Sequence, residues 1–484
     1  MYVVIPSQPF NNMNNDTICA LATASGGALG IIRISGSQTF EILSRIFSKD
    51  LTIAKPNTIH YGHIYDRSCD AVSLHQSSKI PIDEALVSVF HSPHSYTGED
   101  SAEISCHGSS YILNKVLELL VSNGCRMANP GEYTQRAFLN GKLDLSQAEA
   151  VADLIAASNE ATHRLAMNQM RGQFSRELKR LRDQLLDMTA LLELEIDFSE
   201  EDVEFADRQQ LLLLAQTINH AITKLVNSFR TGNAIKNGVP VAIIGKTNVG
   251  KSTLLNRLLH DDRAIVSDIH GTTRDTIEDT INIGGITFRF IDTAGIRQTQ
   301  DAVEQIGIQR TYAAIDKAQI VLWLIDAIPT DAEITNITTR TQGKTLIIVH
   351  NKIDKENSTP HPAVQHTRSP FANLHFGNTH YQSIKISAKL GTNIEQLEQL
   401  LVQATNLTPI EDTDIIVSNQ RHVTALCQAL EAITQVEHQI IQGISSDIIT
   451  LDLHACIDSL SEIVGDISSD DTLQTIFSRF CVGK

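Results

Sequence analysis

The chain has 484 residues, 42% of them hydrophobic, and a formal net charge of −17 at neutral pH. That length exceeds a single hydrophobic core and implies two or three domains, with the apolar share of an ordinary folded protein. The acidic excess excludes a protein that grips naked nucleic acid by broad electrostatics, since neutralising phosphates takes a surplus of Lys and Arg; an RNA substrate must be held by a local basic patch or a partner.

The first sixteen residues are Asn-rich and lack the basic start and apolar core of a secretory signal. No apolar run is long enough to cross a membrane. The cysteines, Cys19, Cys69, Cys106, Cys125, Cys427, Cys456 and Cys481, are odd in number and show no CxxC or zinc spacing. They read as reduced thiols, which places the protein in the cytoplasm.

Residues 1–141 are mixed, with strand-like runs at 30–34 and 85–90, and are expected to form an α+β domain. Residues 66–79 and 355–379 are polar and weakly patterned, as surface loops are. Proline is absent between Pro130 and Pro240 and after Pro409. Residues 142–236 and 407–484 are accordingly expected to be helical. In the first, Leu178, Leu181, Leu185, Met188 and Leu192 fall on one helix face, a bundle core. Residues 237–406 alternate β-branched apolar runs (239–244, 287–291, 320–325, 345–349) with helical stretches, the pattern of a parallel sheet covered by helices. The simplest architecture is an α/β domain inserted into a helical domain whose two halves pack together.

The run 241–244 leads into Gly245-Lys246-Thr247-Asn248-Val249-Gly250-Lys251-Ser252 and a helix starting near Thr253, which is G-x-x-x-x-G-K-S in its strand–loop–helix setting. The glycines let backbone N–H groups close on phosphates, and the helix N-terminus adds its positive dipole end. Lys251 supplies a point charge for the β/γ phosphates and Ser252 a hydroxyl for Mg²⁺. In Gly271-Thr272-Thr273-Arg274-Asp275, Thr273 is suited to be the second hydroxyl on Mg²⁺ and a γ-phosphate sensor. Asp292-Thr293-Ala294-Gly295 follows a strand; Asp292 would organise the metal's water shell and the Gly295 N–H would reach the γ-phosphate. Asn351-Lys352-Ile353-Asp354 ends another strand with Asn351 and Asp354 suited to the guanine edge, and Ser387-Ala388-Lys389 would complete the base pocket. Singly these motifs are weak, but in this order behind a P-loop they specify a Ras-like GTPase domain. The position that bears the water-orienting Gln in Ras-like switches is Ile296 here, so another group must orient the water.

The domain resembles the MnmE/TrmE family of tRNA-modification GTPases. The run Asp268-Ile269-His270-Gly271-Thr272-Thr273-Arg274-Asp275 resembles that family's potassium loop, and Val303-Glu304-Gln305-Ile306-Gly307-Ile308 the stretch bearing its catalytic glutamate. The resemblance implies that Glu304 orients water and that K⁺, held by Asn248, Ser267, Ile269 and Thr272, replaces an arginine finger. Ser267 and His270 depart from the family's usual Thr and small residue, and Thr247 stands where Pro is common. The resemblance extends over nearly the whole chain: Gly30-Ile31-Ile32-Arg33-Ile34-Ser35-Gly36, Tyr96-Thr97-Gly98-Glu99-Asp100 with Glu103, Pro130-Gly131-Glu132-Tyr133-Thr134, Arg136 through Leu145, and the terminal Phe480-Cys481-Val482-Gly483-Lys484. It implies a dimerising N-terminal domain that binds a tetrahydrofolate through Arg33, Glu103, Lys142 and Lys484, and a role for Cys481. It also implies a homodimer working with an FAD-dependent MnmG/GidA-like partner to add a carboxymethylaminomethyl-type group at carbon 5 of the tRNA wobble uridine. The loop Ser25-Gly26-Gly27-Ala28-Leu29-Gly30 lacks the family's glycine-flanked arginine and is one residue shorter. Two other readings stay open: a ribosome-assembly GTPase, which should carry an RNA-binding module such as a KH domain, and a GTP-responsive scaffold with negligible turnover.

Overall fold

The computed structural model describes residues 16–24, 26–66, 81–197, 207–260, 279–291, 312–356, 381–405, 414–467, 469–478 and 480–483. Most of the two expected surface loops, 66–79 and 355–379, lies outside them. The chain divides into two compact units, one of Met1–Ala156, Met167–Leu214 and Gln435–Lys484, the other of Ala157–Ala166 and Ala215–Thr434.

The first unit is built on a sheet of β1 (Thr17–Leu21), β2 (Leu29–Ser35), β3 (Thr58–Ile64), β4 (Asp83–Phe90), β5 (Ser101–His107) and β6 (Cys125–Met127), in the order β3-β4-β5-β2-β1-β6. All neighbours are antiparallel except β1 and β6. One face packs on α1 (Thr39–Ile46) and α2 (Ser110–Ser122), burying Ile32, Ile34, Leu43, Val87, Ile104, Val116 and Leu120. On the other face Ile59, Tyr61 and Leu86 of β3 and β4 are exposed, which gives these two strands a period-two pattern, whereas β1 is buried on both faces, its Ile18 and Ala20 clustering with Ala128 and Tyr133.

Helices α3 (Glu132–Leu139), α4 (Leu145–Ala156), α5 (Glu160–Met170), α6 (Gln173–Asp197) and α7 (Arg208–Asn237) follow. The stripe Leu178, Leu181, Leu185, Met188 and Leu192 of α6 is fully buried. Near the chain's end come α12 (Gln420–Gln442), α13 (Ser446–Val464) and α14 (Asp470–Phe477). Helix α13 lies along α6, and Ser446 Oγ donates to Glu195 Oε2 (2.7 Å) while Arg182 pairs with Asp466. Helices from before and after the α/β segment thus pack together, as an insertion requires. The division between units falls within α5, α7 and α12.

The second unit holds β7 (Val239–Ile244), β8 (Asp279–Ile283), β9 (Ile286–Phe290), β10 (Ile320–Ile325), β11 (Thr345–His350) and β12 (Tyr381–Lys385), ordered β12-β11-β10-β7-β9-β8. Five strands are parallel; β8 is antiparallel to β9, joined to it by a two-residue turn at Gly284-Gly285. The sheet is therefore mixed rather than wholly parallel. Both faces are covered, one by α8 (Lys251–His260) and α11 (Ile394–Ala404) through Leu254, Leu258, Leu397 and Leu401, the other by Ile315 and by α9 (Asp331–Arg340) through Ile334. Burial on both faces is why β7, β10 and β11 read as unbroken apolar runs. A short α10 (Ile353–Glu356) follows β11. Among the described residues no helix is long and apolar enough to cross a membrane.

Candidate functional site

In the second unit, β7 ends at Ile244 and the chain turns through Gly245 to Gly250 into the first turn of α8, which starts at Lys251 and Ser252. The loop is too tight for side chains at its glycines. A Cβ on Gly245 would strike the Leu324 carbonyl, and one on Gly250 the Asn351 amide, and both residues have positive φ (145° and 104°). Asn248, exposed at the loop's crest, also takes the left-handed conformation (φ 62°). Lys251 Nζ donates to the carbonyls of Gly245 (2.6 Å) and Lys246 (2.7 Å), and burial lowers its pKa. Lys246 reaches outward to Glu333 Oε1 (2.7 Å), whose other oxygen caps α9 at the Thr330 N–H.

The carboxyl end of β11 delivers Asn351, Lys352, Ile353 and Asp354 to the same edge of the sheet. Asn351 is 4% exposed, and its amide is engaged at both ends. Nδ2 donates to Val249 O (2.8 Å) and Oδ1 accepts from Ala388 N (2.9 Å). The side chain of Asn351, which the sequence reading assigned to the guanine edge, thus holds the phosphate loop and the 387–389 loop together. Asp354 is half-buried and accepts from Ser387 Oγ (2.7 Å), a bond that lowers its pKa and keeps an ionised acceptor at neutral pH. Lys352, with φ 69°, donates to Asp326 (2.7 Å). Strand β9 runs parallel beside β7, and Ile291 N bonds Val241 O (3.0 Å), so the chain also leaves β9 at this edge. Ser267, Asp268, Ile269, His270, Gly271, Thr272, Thr273, Asp292, Thr293, Ala294, Gly295 and Glu304 lie outside the described residues. The phosphate loop with Lys251, and the Asp354 carboxylate, thus gather at the carboxyl edge of the sheet's parallel strands, an arrangement suited to a nucleotide. The residues fit Mg²⁺ in their chemistry: Ser252, in the first turn of α8 beside Lys251, offers a hydroxyl oxygen to the metal.

A second cluster lies in the first unit. Arg33 on β2 donates from Nε (3.0 Å) and Nη2 (2.7 Å) to Glu103 Oε1 on the neighbouring β5, and from Nη1 to Gly483 O (3.4 Å). The rings of Tyr96 and Tyr133 each lie 5.6 Å from its guanidinium. Arg33, Glu103, Tyr96, Thr97, Phe90 and Ser101 line a cleft of about 100 Å³. The C-terminal residues reach it because Val482 bridges Pro130 and Gly131 N bonds Cys481 O (3.4 Å). Cys481 is exposed. Lys142 donates to Pro93 O (2.9 Å), on the loop that carries Tyr96. Lys484 lies outside the described residues. Behind the cleft, Arg136 bonds Glu99, Asp16 and Glu132, and Arg126 bonds Asp16 and Glu132, an ionic network in which Arg136 and Glu132 are buried. Burial works to raise the Asp16 and Glu132 pKa values, but hydrogen bonds from the two arginines outweigh it and leave both lowered.

The sequence matches the family "GTP-binding protein TrmE N-terminus" over residues 17–142 and the MnmE helical domain over residues 145–481. It is 55% identical to the tRNA modification GTPase MnmE of Bacteroides fragilis over 481 residues, covering 98% of this chain and 100% of that one. The MnmE of Bacteroides thetaiotaomicron is likewise 55% identical with the same coverage, and that of Flavobacterium johnsoniae 49% over 484 residues, with 98% and 100% covered. The chain belongs to the MnmE family of tRNA modification GTPases. The resemblance read from the motifs therefore holds along the whole MnmE-family chain. Sequence reasoning missed the two tyrosines that flank Arg33 and the Lys246–Glu333 tie. Tyr96 and Tyr133 sat inside quoted motifs, but nothing local to those motifs linked them to Arg33. The longest MnmE-like motif, through Glu132 and Arg136, supplies the buried charges behind the cleft.

Proposed function

We propose that this chain is a K⁺-dependent GTPase that modifies the wobble uridine of certain tRNAs. It acts in the cytoplasm as a homodimer with an FAD-dependent MnmG/GidA-like partner, which holds much of the tRNA. The observation that carries the GTPase part is the Asn351 amide, which ties the Lys251 loop to the loop of Ser387 and Ala388 beside the Asp354 carboxylate. Lys251 and the backbone N–H groups of Val249, Gly250, Ser252 and Thr253 would bind and orient the phosphates. Asp354 would accept from the ring N–H and exocyclic amine of guanine, with Lys352, Ile353 and Ala388 closing the base pocket.

Ser252 and Thr273 would hold Mg²⁺, which supplies charge neutralisation between the β and γ phosphates when bound. Asn248, with Ser267, Ile269 and Thr272, would hold K⁺. Glu304 would orient the attacking water. In the first unit Arg33, Lys142 and Lys484 are cations suited to the glutamyl carboxylates of a tetrahydrofolate one-carbon donor, and the Glu103 carboxylate suits the pterin's N–H edge. Cys481, exposed on the segment whose Gly483 reaches Arg33, would take part there.

The test is GTP turnover by the full chain in KCl against NaCl at matched ionic strength, with Glu304→Ala alongside. We expect strong stimulation by K⁺ and a loss of roughly 10²- to 10⁴-fold in the variant. Equal, slow turnover in both salts with no effect of Glu304→Ala overturns the cation mechanism and favours a switch without catalysis of its own.

A further inference from the structure

We propose that Arg257 is a positioning residue that sharpens discrimination for guanine, a role that rests on reading this site as the GTP site. Arg257 lies on α8, the helix whose first turn carries Lys251 and Ser252, roughly 9 Å further along at 1.5 Å per residue. Its Nη2 donates to the Lys389 carbonyl (3.1 Å). Lys389 continues the base loop just past Ala388. The loop is thus fastened twice, by Asn351 Oδ1 at the Ala388 N–H and by Arg257 at the Lys389 carbonyl.

Packing supports the hydrogen bond. Gly391 has φ 82°, and a Cβ there would come within 3.3 Å of Arg257 Nη2, so the guanidinium rests against the bare backbone of the loop's turn. Inside that turn, Ser387 O accepts from Gly391 N (2.8 Å) and Ser387 Oγ accepts from Leu390 N (3.2 Å). The same hydroxyl donates to Asp354 Oδ1 (2.7 Å). A chain of contacts therefore runs from the phosphate helix through Arg257, the 387–391 turn and Ser387 to the carboxylate that reads the base. Guanine offers that carboxylate two donors, a ring N–H and an exocyclic amine, whereas hypoxanthine offers only the ring N–H. A carboxylate held in one orientation gains from the second donor; one that swings gains less. The Arg257 tie contributes through orientation, so its loss falls more heavily on guanine than on hypoxanthine.

The experiment titrates GDP and IDP onto the full chain carrying Arg257, Arg257→Met or Arg257→Lys. Met keeps the apolar stem and removes the donor; Lys restores one donor. The expected result is GDP binding weakened roughly 3- to 10-fold by Arg257→Met, with IDP changed less than about twofold and Arg257→Lys intermediate. Unchanged GDP affinity in Arg257→Met, or equal losses for GDP and IDP, overturns the proposal. Wild-type protein that binds neither nucleotide overturns the GTPase reading and this inference with it, so the two failures are told apart by the unsubstituted chain.

Discussion

The two sheets solve the same problem, stabilising six strands, in opposite ways. In the second unit, β7, β10 and β11 are apolar along their length because helices cover both faces, and the functional residues sit at strand ends or just beyond them. In the first, β3 and β4 expose one face, and the corner between β1, β6 and α3 is held by the buried pair Glu132 and Arg136 with the half-exposed Asp16 and Arg126 around it. The second unit makes a site from contiguous motifs; the first makes one from Arg33, Glu103 and Gly483, which lie on separate segments of the chain that only the fold brings together.

Removing a charge from the corner tests this contrast most severely. Glu132→Ala leaves Arg136, 5% exposed, without its α3 partner, and we expect a loss of about 3–5 kcal/mol in urea unfolding of the first unit. A loss below about 1 kcal/mol means the network is not what holds the corner. In the second unit the matching test is Asn351→Ala, which deletes both loop ties at once. GDP binding should weaken by roughly 30- to 100-fold while far-UV circular dichroism stays that of the parent; an unchanged affinity would separate the loops from nucleotide recognition.

The smallest expected effect is in acid. The folded pKa values of Asp16 and Glu132 lie below those of the unfolded chain, about 3.9 and 4.3 for unperturbed groups. Their contribution is therefore present in full above those values and is lost as pH falls through the folded ones. The first unit should lose stability below about pH 4, and Glu132→Gln should flatten that dependence. A pH profile identical in Glu132→Gln and the parent would remove Glu132 from the account.

How much could be read in advance follows the same division. The runs 239–244, 320–325 and 345–349 coincide with β7, β10 and β11 to within a residue, and the α6 stripe is buried as spaced. Strand β12 (Tyr381–Lys385) went unforeseen because it is a half-polar edge. Strand β8 did too, because it joins the sheet only through its hairpin with β9. The phosphate loop was legible because its chemistry is local: backbone N–H groups, a lysine and a hydroxyl within a few residues of one helix start. By itself the sequence determined the fold class, the inserted GTPase segment and the family, since hydrophobic period and contiguous motifs are properties of neighbours along the chain. Tertiary structure alone decided that Asn351 clamps two loops, that Arg257 reaches the base loop, and that Tyr96, Tyr133 and the chain's end gather around Arg33. Those relations depend on which strands are adjacent and where the helices return, and no spacing along the chain encodes them.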